Sequence, residues 1–308
     1  MKKILEASYS FVSTLSATAL LVGSLAGSAQ AAVELNIKAT NGLNLETLVL
    51  YPSTPSATPL AVVLVDHGFM LNQQFSKGLL SQVADQGFVV VAPQAYKSGG
   101  LPFGKPTVTV EAQNVAKAFT WLSTNLSTLI PQPVDFTNVG MLNHSRGGKA
   151  AFVMLKDKLV AAKAFAAVDP VDGTQDGSPR VTDTAAKISI PSLIIGTGLG
   201  SQKKFGQACA PEDVNYEHFW SSVQSKNSWL LVAQDYGHMD HLDATNNCGL
   251  VCSACVGASR ENSRDDYRNW LASNVGAFLK GILYRDSAAL DTIGAGSVAG
   301  LNFTAEAK

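Results

Sequence analysis

The chain is poor in charge. Only 15% of its 308 residues are Asp, Glu, Lys or Arg, and 23 basic against 24 acidic residues leave a formal net charge of −1. The basic residues are scattered, so no nucleic-acid or other polyanion-binding surface is expected. Long hydrophobic runs are missing beyond the N-terminal segment, which excludes a bundle of membrane spans. There is no internal repeat and no linker long enough to divide the chain, which excludes solenoids and argues against a second domain. Histidine is scarce: His67, His144, His218, His238 and His241 are the five candidates for any histidine chemistry. Cysteine is limited to Cys209, Cys248, Cys252 and Cys255.

The N-terminal segment has the layout of an export signal. Lys2 and Lys3 precede an apolar stretch that is clearest at Ala17–Leu25, and Ala29-Gln30-Ala31 gives an A-x-A cleavage pattern. The apolar core is too short and Ser-rich for a membrane anchor. The expectation is a signal peptide over residues 1–31 and a mature domain over 32–308, with its core at about 60–285. The destination would be the periplasm, a thylakoid lumen or the exterior. An even cysteine count in an oxidising compartment points to disulfides, and sequence does not choose among the three pairings. A Cys209–Cys248 or Cys209–Cys252 bridge would tie down the segment that holds His238. The C-x-x-C spacing of Cys252 and Cys255 leaves a zinc site as the rival.

Short apolar runs alternate with helical patterns. Strands are expected at Val33–Tyr51 (one or two edge strands), Leu60–Asp66, Phe88–Ala92, Val139–Leu142, Ala164–Val168, Ile188–Gly196 and Trp229–Ala233. Helices are expected at Phe75–Gln86, Val110–Leu126, Gly148–Val160 and Asp265–Leu283, and the tail beyond Arg285 reads as loosely held. This order predicts an α/β fold with a mainly parallel central sheet and helices on both faces.

The chemistry centres on Met141-Leu-Asn-His-Ser-Arg-Gly-Gly-Lys149. It is one residue away from G-x-S-x-G, the strand–turn–helix elbow that lifts a serine hydroxyl out of a sheet. Asn143 stands where Gly is expected. A nucleophile needs a base, an acid to orient the base, and donors for the oxyanion. His238 follows Trp229–Ala233 through a Gly turn and is the preferred base, with His241 its competitor. Asp169 ends the strand after the elbow and is the preferred acid, with Asp172 in the next turn as the alternative. The oxyanion donors would be the backbone N–H groups of Arg146 and Phe69, and Gly68 would let that loop approach closely. The Arg146 side chain would fix the turn, meet a substrate carbonyl or form a plain ion pair. Phe69, Met70, Leu71, Leu101 and Phe103 are candidates for binding apolar substrate. His238-Met-Asp240-His241-Leu-Asp243 is dense enough in ligand types to weigh a metal site, but no distant ligand group accompanies it, and neither metal nor cofactor is expected.

Six ordered blocks resemble the chlorophyllase family. Asn143-His-Ser-Arg-Gly-Gly-Lys149 is similar to its G-H-S-R-G-G-K elbow, and His67-Gly-Phe-Met-Leu-Asn72 to its H-G-Y-x-L-N segment. Ala92-Pro-Gln-Ala-Tyr96 is similar to A-P-Q-x-Y, Asp169-Pro-Val-Asp-Gly173 to D-P-V-x-G, and Cys209-Ala-Pro-Glu212 to C-A-P-E. Asp235-Tyr-Gly-His-Met-Asp240 with Leu242-Asp243 is similar to D-Y-G-H-M-D-x-L-D. The elbow alone is shared with many lipases; the ordered set is far more specific. The resemblance implies an α/β-hydrolase that cleaves the phytyl ester of chlorophyll with a Ser145–Asp169–His238 triad. Its partner would be a lipophilic ester, with peripheral contact to the membranes that hold it. The alternatives are a secreted lipase, cutinase-like or polyester esterase on the same scaffold, a metallohydrolase, and a non-catalytic pigment-binding protein.

Overall fold

The β-branched runs become strands buried on both faces, as a sheet sandwiched between helices requires. A computed structural model describes residues 32–40, 42–97, 104–243, 248–295 and 301–308. The expected signal segment lies outside the described residues. The strands are β1 (Val33–Ile37), β2 (Thr47–Tyr51), β3 (Leu60–Asp66), β4 (Val89–Pro93), β5 (Val134–His144), β6 (Ala164–Val168), β7 (Ser192–Thr197), β8 (Trp229–Ala233) and β9 (Phe303–Ala307). They form one sheet of order β1-β2-β4-β3-β5-β6-β7-β8-β9. The six strands from β4 to β8 in that order run parallel; β2 and β9 run opposite to them at the two ends, and β1 pairs antiparallel with β2. This is the α/β-hydrolase architecture expected from the sequence.

Alternation within β3 shows how the two cores are filled. Val62 and Leu64 face one side with Val115, Phe119 and Leu122 of α2 (Val108–Asn125), Phe152 of α3 (Arg146–Lys156) and Phe219 of α4 (Tyr216–Ser222). Ala61, Val63 and Val65 face the other, with Leu79, Leu80 and Val83 of α1 (Lys77–Ala84) and Trp270, Val275 and Phe278 of α6 (Arg264–Leu283). Two short helices complete the set, α5 (Gly249–Ser253) and α7 (Ser287–Leu290).

Three local expectations are corrected. β5 begins at Val134, five residues earlier than its apolar core suggested, because Val134 and Asp135 pair with Leu60 and Ala61 across a register shift. Its first half is partly exposed and carries Asp135, Thr137 and Asn138, which hides the strand from a hydrophobicity reading. The helix after the elbow starts at Arg146 rather than Gly148 and stops at Lys156; Lys158, at φ 56°, has left helical conformation. The described end of the tail is not loose. Phe303–Ala307 pairs antiparallel with β8, and Phe303 packs on Trp270 at 5.3 Å between ring centroids. The Lys308 ammonium donates to the carbonyls of Trp220 and Val223 at 2.6 and 2.9 Å. Without β9, β8 would be an open edge.

All the parallel strands end on the same edge of the sheet, where ligands of such folds bind. That edge carries Asp66, His144–Ser145, Asp169 and the segment after Ala233. Removing residues 303–308 is expected to lower the thermal midpoint by roughly 5 °C or more and to promote self-association through β8. Scanning calorimetry and light scattering check both.

Candidate active site

Ser145 sits at φ 53° and ψ −123°, a strained conformation for a residue with a side chain. The turn is held from both sides. The Ser145 N–H donates to the Val168 carbonyl at 3.2 Å, and the Ser145 carbonyl accepts from Gly148 and Val171 at 2.9 and 3.1 Å. The first turn of α3 then passes so close to the end of β3 that a Cβ on Gly147 would lie 2.2 Å from the Asp66 carbonyl oxygen. Only glycine fits there. Asn143 uses its extra bulk: its Oδ1 accepts from the Asp66 N–H at 3.1 Å, and its Nδ2 donates to the Ala166 carbonyl at 3.4 Å. It therefore cross-links β3, β5 and β6 immediately before the bend.

Three of the expected residues come together. His238 Nε2 lies 2.9 Å from Ser145 Oγ, and its Nδ1 lies 2.6 Å from Asp169 Oδ2. All three are buried, Asp169 completely. The Asp169 carboxylate also accepts from the Thr197 N–H at 3.1 Å and the Thr197 hydroxyl at 2.8 Å, so both oxygens are held. Asp172 is engaged elsewhere. It accepts from Val181 N–H, Thr182 N–H and the Thr182 hydroxyl at 2.7–3.0 Å, and it pairs with buried Lys149 at 3.2 Å.

The other histidines have different surroundings. His67 Nε2 accepts from Ala95 N–H at 3.1 Å, while its Nδ1 lies 2.9 Å from the Gly68 carbonyl. Burial holds its pKa down at about 4. His144 donates through Nε2 to the His238 carbonyl at 3.0 Å. Its ring lies against those of His238 and His241, at centroid distances of 4.6 and 4.0 Å. Burial and then the neighbouring imidazoles push its pKa well down. Burial, then His238 and Arg268, bring His241 to about 3. His241 is thus a neutral core residue behind the site, and His218 lies on α4.

Phe69, Ser145 and Arg146 line a cleft of about 610 Å³. Neither the Phe69 nor the Arg146 N–H has an acceptor among the described residues. The Arg146 side chain turns away from the cleft's chemistry. Its Nε bonds buried Glu111 at 2.6 Å, Nη1 pairs with Asp176 at 2.9 Å, and Nη2 donates to the Pro106 carbonyl at 2.6 Å. Burial raises the Glu111 carboxyl to about 7 against the pull of Arg146. Of the expected substrate contacts, Phe69 lines the cleft. Leu71 does not: the tight turn closed by Leu71 N–H and the Gly68 carbonyl points it inward, where it packs with Met239 and Leu242. Met70 has its N–H bound to the Tyr96 hydroxyl and is not part of the cleft wall, and Leu101 and Phe103 lie outside the described residues. The sequence reading missed Val171, Gln175, Gln207 and Pro211, which line the cleft. Val171 and Pro211 lie within the D-P-V-x-G and C-A-P-E blocks, and Gln175 and Gln207 flank them, which is the available signal.

All four cysteines are paired, as Cys209–Cys255 and Cys248–Cys252. Neither bridge considered for Cys209 forms, but Cys209–Cys255 still ties the cleft wall to the region around His238. The ligand-rich segment disperses: Asp240 accepts from Gly237 N–H, Ala258 N–H and Arg264, and Asp243 accepts from Gly78 N–H. Among the described residues, no group of three His, Cys, Asp or Glu side chains is arranged to hold a metal ion.

A family model described as Chlorophyllase matches residues 23–301. The chain belongs to the chlorophyllase family. It is 32% identical over 261 residues to chlorophyllase-2 of Arabidopsis thaliana, covering 76% of this chain and 80% of that one. It is 33% identical over 234 residues to the chloroplastic chlorophyllase-1 of Citrus sinensis, covering 73% and 69%. Arabidopsis thaliana chlorophyllase-1 is similar at 32% over 249 residues, 75% of each chain. The chlorophyllase family thus accounts for the six ordered blocks and for the α/β-hydrolase sheet.

Two outcomes follow from this geometry. Asn143→Gly, which restores the commoner elbow sequence, is expected to cost about 1–3 kcal/mol in urea unfolding, because a buried Asp66 N–H loses its acceptor. His241 binds a proton at about 3 when folded and at 6.5 when unfolded. Below 6.5 the unfolded chain takes a proton that the folded state refuses, so stability falls as pH drops toward 3. His241→Asn is expected to flatten that dependence by up to about 1.4 kcal/mol per pH unit, read from unfolding curves between about pH 6 and pH 4.

Proposed function

We propose that the protein is a serine carboxylesterase that hydrolyses the phytyl ester of chlorophyll to chlorophyllide and phytol. The reading is carried by one observation: a hydrogen-bonded Ser145–His238–Asp169 chain whose serine lines a cleft of mixed polar and apolar character, in a member of the chlorophyllase family. Ser145 attacks the ester carbonyl while His238 Nε2 takes its proton. Asp169 accepts from Nδ1–H, fixes the tautomer and stabilises the imidazolium. The Phe69 and Arg146 N–H groups receive the oxyanion. His238 then protonates the departing phytol, leaving the pigment carboxyl bound to Ser145. A water molecule, deprotonated by His238, releases chlorophyllide. No metal or cofactor takes part. The proposal includes removal of residues 1–31 as a signal peptide, a single domain over 32–308, and disulfide formation in an exported protein.

The rival on the same scaffold is a broad lipase, cutinase-like or polyester esterase. Purified protein supplied with chlorophyll a, with the products chromatographed, separates the two. Chlorophyllide is expected; rapid turnover of nitrophenyl esters with no chlorophyllide would defeat the specific reading. Ser145→Ala is expected to remove about 10⁶-fold of the turnover while keeping pigment binding. Retained cleavage in that variant would refute the mechanism, and binding without cleavage in the parent would favour a carrier. Asp169→Asn is expected to lower kcat by about 10⁴-fold. Asp172→Asn should instead weaken folding, because its carboxylate pairs with buried Lys149.

A further inference from the structure

The segment Gln202-Lys-Lys-Phe-Gly-Gln207 forms a tight hairpin beside the cleft. Lys204 N–H donates to the Gln207 carbonyl at 2.8 Å and Gln207 N–H returns the bond at 3.2 Å, leaving Phe205 and Gly206 as the two tip residues. Their φ values are 52° and 84°, the double left-handed arrangement for which Asn-Gly is the favoured pair. An aromatic residue is a costly choice there. Nor does it repay the cost by packing: Phe205 is 86% exposed, whereas the next most exposed large apolar side chain among the described residues, Leu129, is 46% exposed. The tip is held firmly. Lys204 Nζ donates to the Cys255 carbonyl, Ala210 N–H to the Gly200 carbonyl, and Cys209 is bridged to Cys255. Gln207, at the base of the hairpin, also lines the cleft that holds Ser145.

We infer that this hairpin docks the protein on an anionic lipid bilayer, with Phe205 inserted among the headgroups and the exposed Lys203 against their negative charge. A single ring between polar neighbours is far too small for the core of a protein interface, which takes about 800 Å² per partner. An exposed aromatic tip with the exposed Lys203 beside it is suited to a headgroup layer. Docking here would bring the mouth of the cleft to the bilayer surface; that consequence rests on the lipophilic-ester reading, while the docking itself does not.

The test is sedimentation of the purified protein with vesicles of phosphatidylcholine, with or without about one third phosphatidylglycerol. The unaltered protein is expected to bind the anionic vesicles and to release at high salt. Phe205→Asn keeps the turn chemistry, so it should weaken vesicle binding about tenfold without lowering the thermal midpoint or the turnover of a soluble nitrophenyl ester. Lys203→Glu should weaken binding in the same assay. Equal vesicle binding by Phe205→Asn and the parent, or no binding by the parent, would overturn the inference. So would a lowered thermal midpoint, which would make Phe205 structural, or a changed oligomeric state in light scattering, which would make the tip a protein contact. Because the readout is binding, absence of chlorophyllide would leave this inference standing and remove only the substrate reading.

Discussion

The site depends on one bend. Ser145 keeps a backbone conformation that would relax in a free peptide, and the surrounding structure over-determines it. The restraint is steric as much as hydrogen-bonded. α3 can begin at Arg146 only because Gly147 has no side chain to collide with the Asp66 carbonyl. The close approach of β3 and α3 then brings the loop after Asp66 over the serine, so that Phe69 and Arg146 border the same cleft. Gly68 is set by a similar contact, since a Cβ there would lie 2.5 Å from His144 Nδ1. Backbone approach, rather than any one side chain, builds this side of the site.

Behind the bend lies a layer of buried polar groups that must stay uncharged. His67, His144 and His241 are all held neutral, first of all by burial, and the Asp66 carboxyl is pushed well up by burial and then by Glu111. Asp66, His144 and His241 border a cavity of about 30 Å³ beneath the site. Neutral partners matter to His238. A permanent cation at His144, whose ring centroid is 4.6 Å away, would oppose protonation of His238 through a low-dielectric path. The His144 bond to the His238 carbonyl therefore anchors the loop without adding charge. Asp169 meets His238 from the end of β6 instead, and Thr197 holds both its oxygens.

Much of this was legible in the sequence, for physical reasons that differ from residue to residue. β3, β6 and β8 are short runs buried on both faces, so composition alone marks them. The elbow was legible because its glycines are steric necessities, and Asp169 and His238 because they follow strand ends. β9 is not legible because Phe303-Thr-Ala-Glu-Ala is exposed at all but Phe303, at a sheet edge where only pairing with β8 gives it a structure. Leu71 was misread because a loop's apolar residues give no sign of which way each turns; a backbone turn at Gly68 decided it. For Arg146 the sequence does not decide between substrate and structure. Its partner Glu111 was visible as a lone carboxylate on the apolar face of α2, among Val108, Ala112 and Val115, yet the 35-residue separation concealed the pairing.

The Glu111–Arg146–Asp176 cluster also explains why the cleft can be apolar beside a guanidinium. Arg146 spends its three nitrogens on Glu111, Asp176 and the Pro106 carbonyl, and its flat face lies 5.6 and 5.8 Å from the rings of Phe69 and Tyr96. A cation so engaged makes little demand on the cleft's occupant and braces the loop that carries Phe69. The opposite wall is braced by different means, through the Cys209–Cys255 bridge and the Lys204 bond to the Cys255 carbonyl. Buried ion pairs on one side and a covalent link on the other hold two loops that the sheet itself does not reach. An irregular cleft in a loop region is therefore defined by a few cross-links, and its shape is most sensitive to the loss of any one of them.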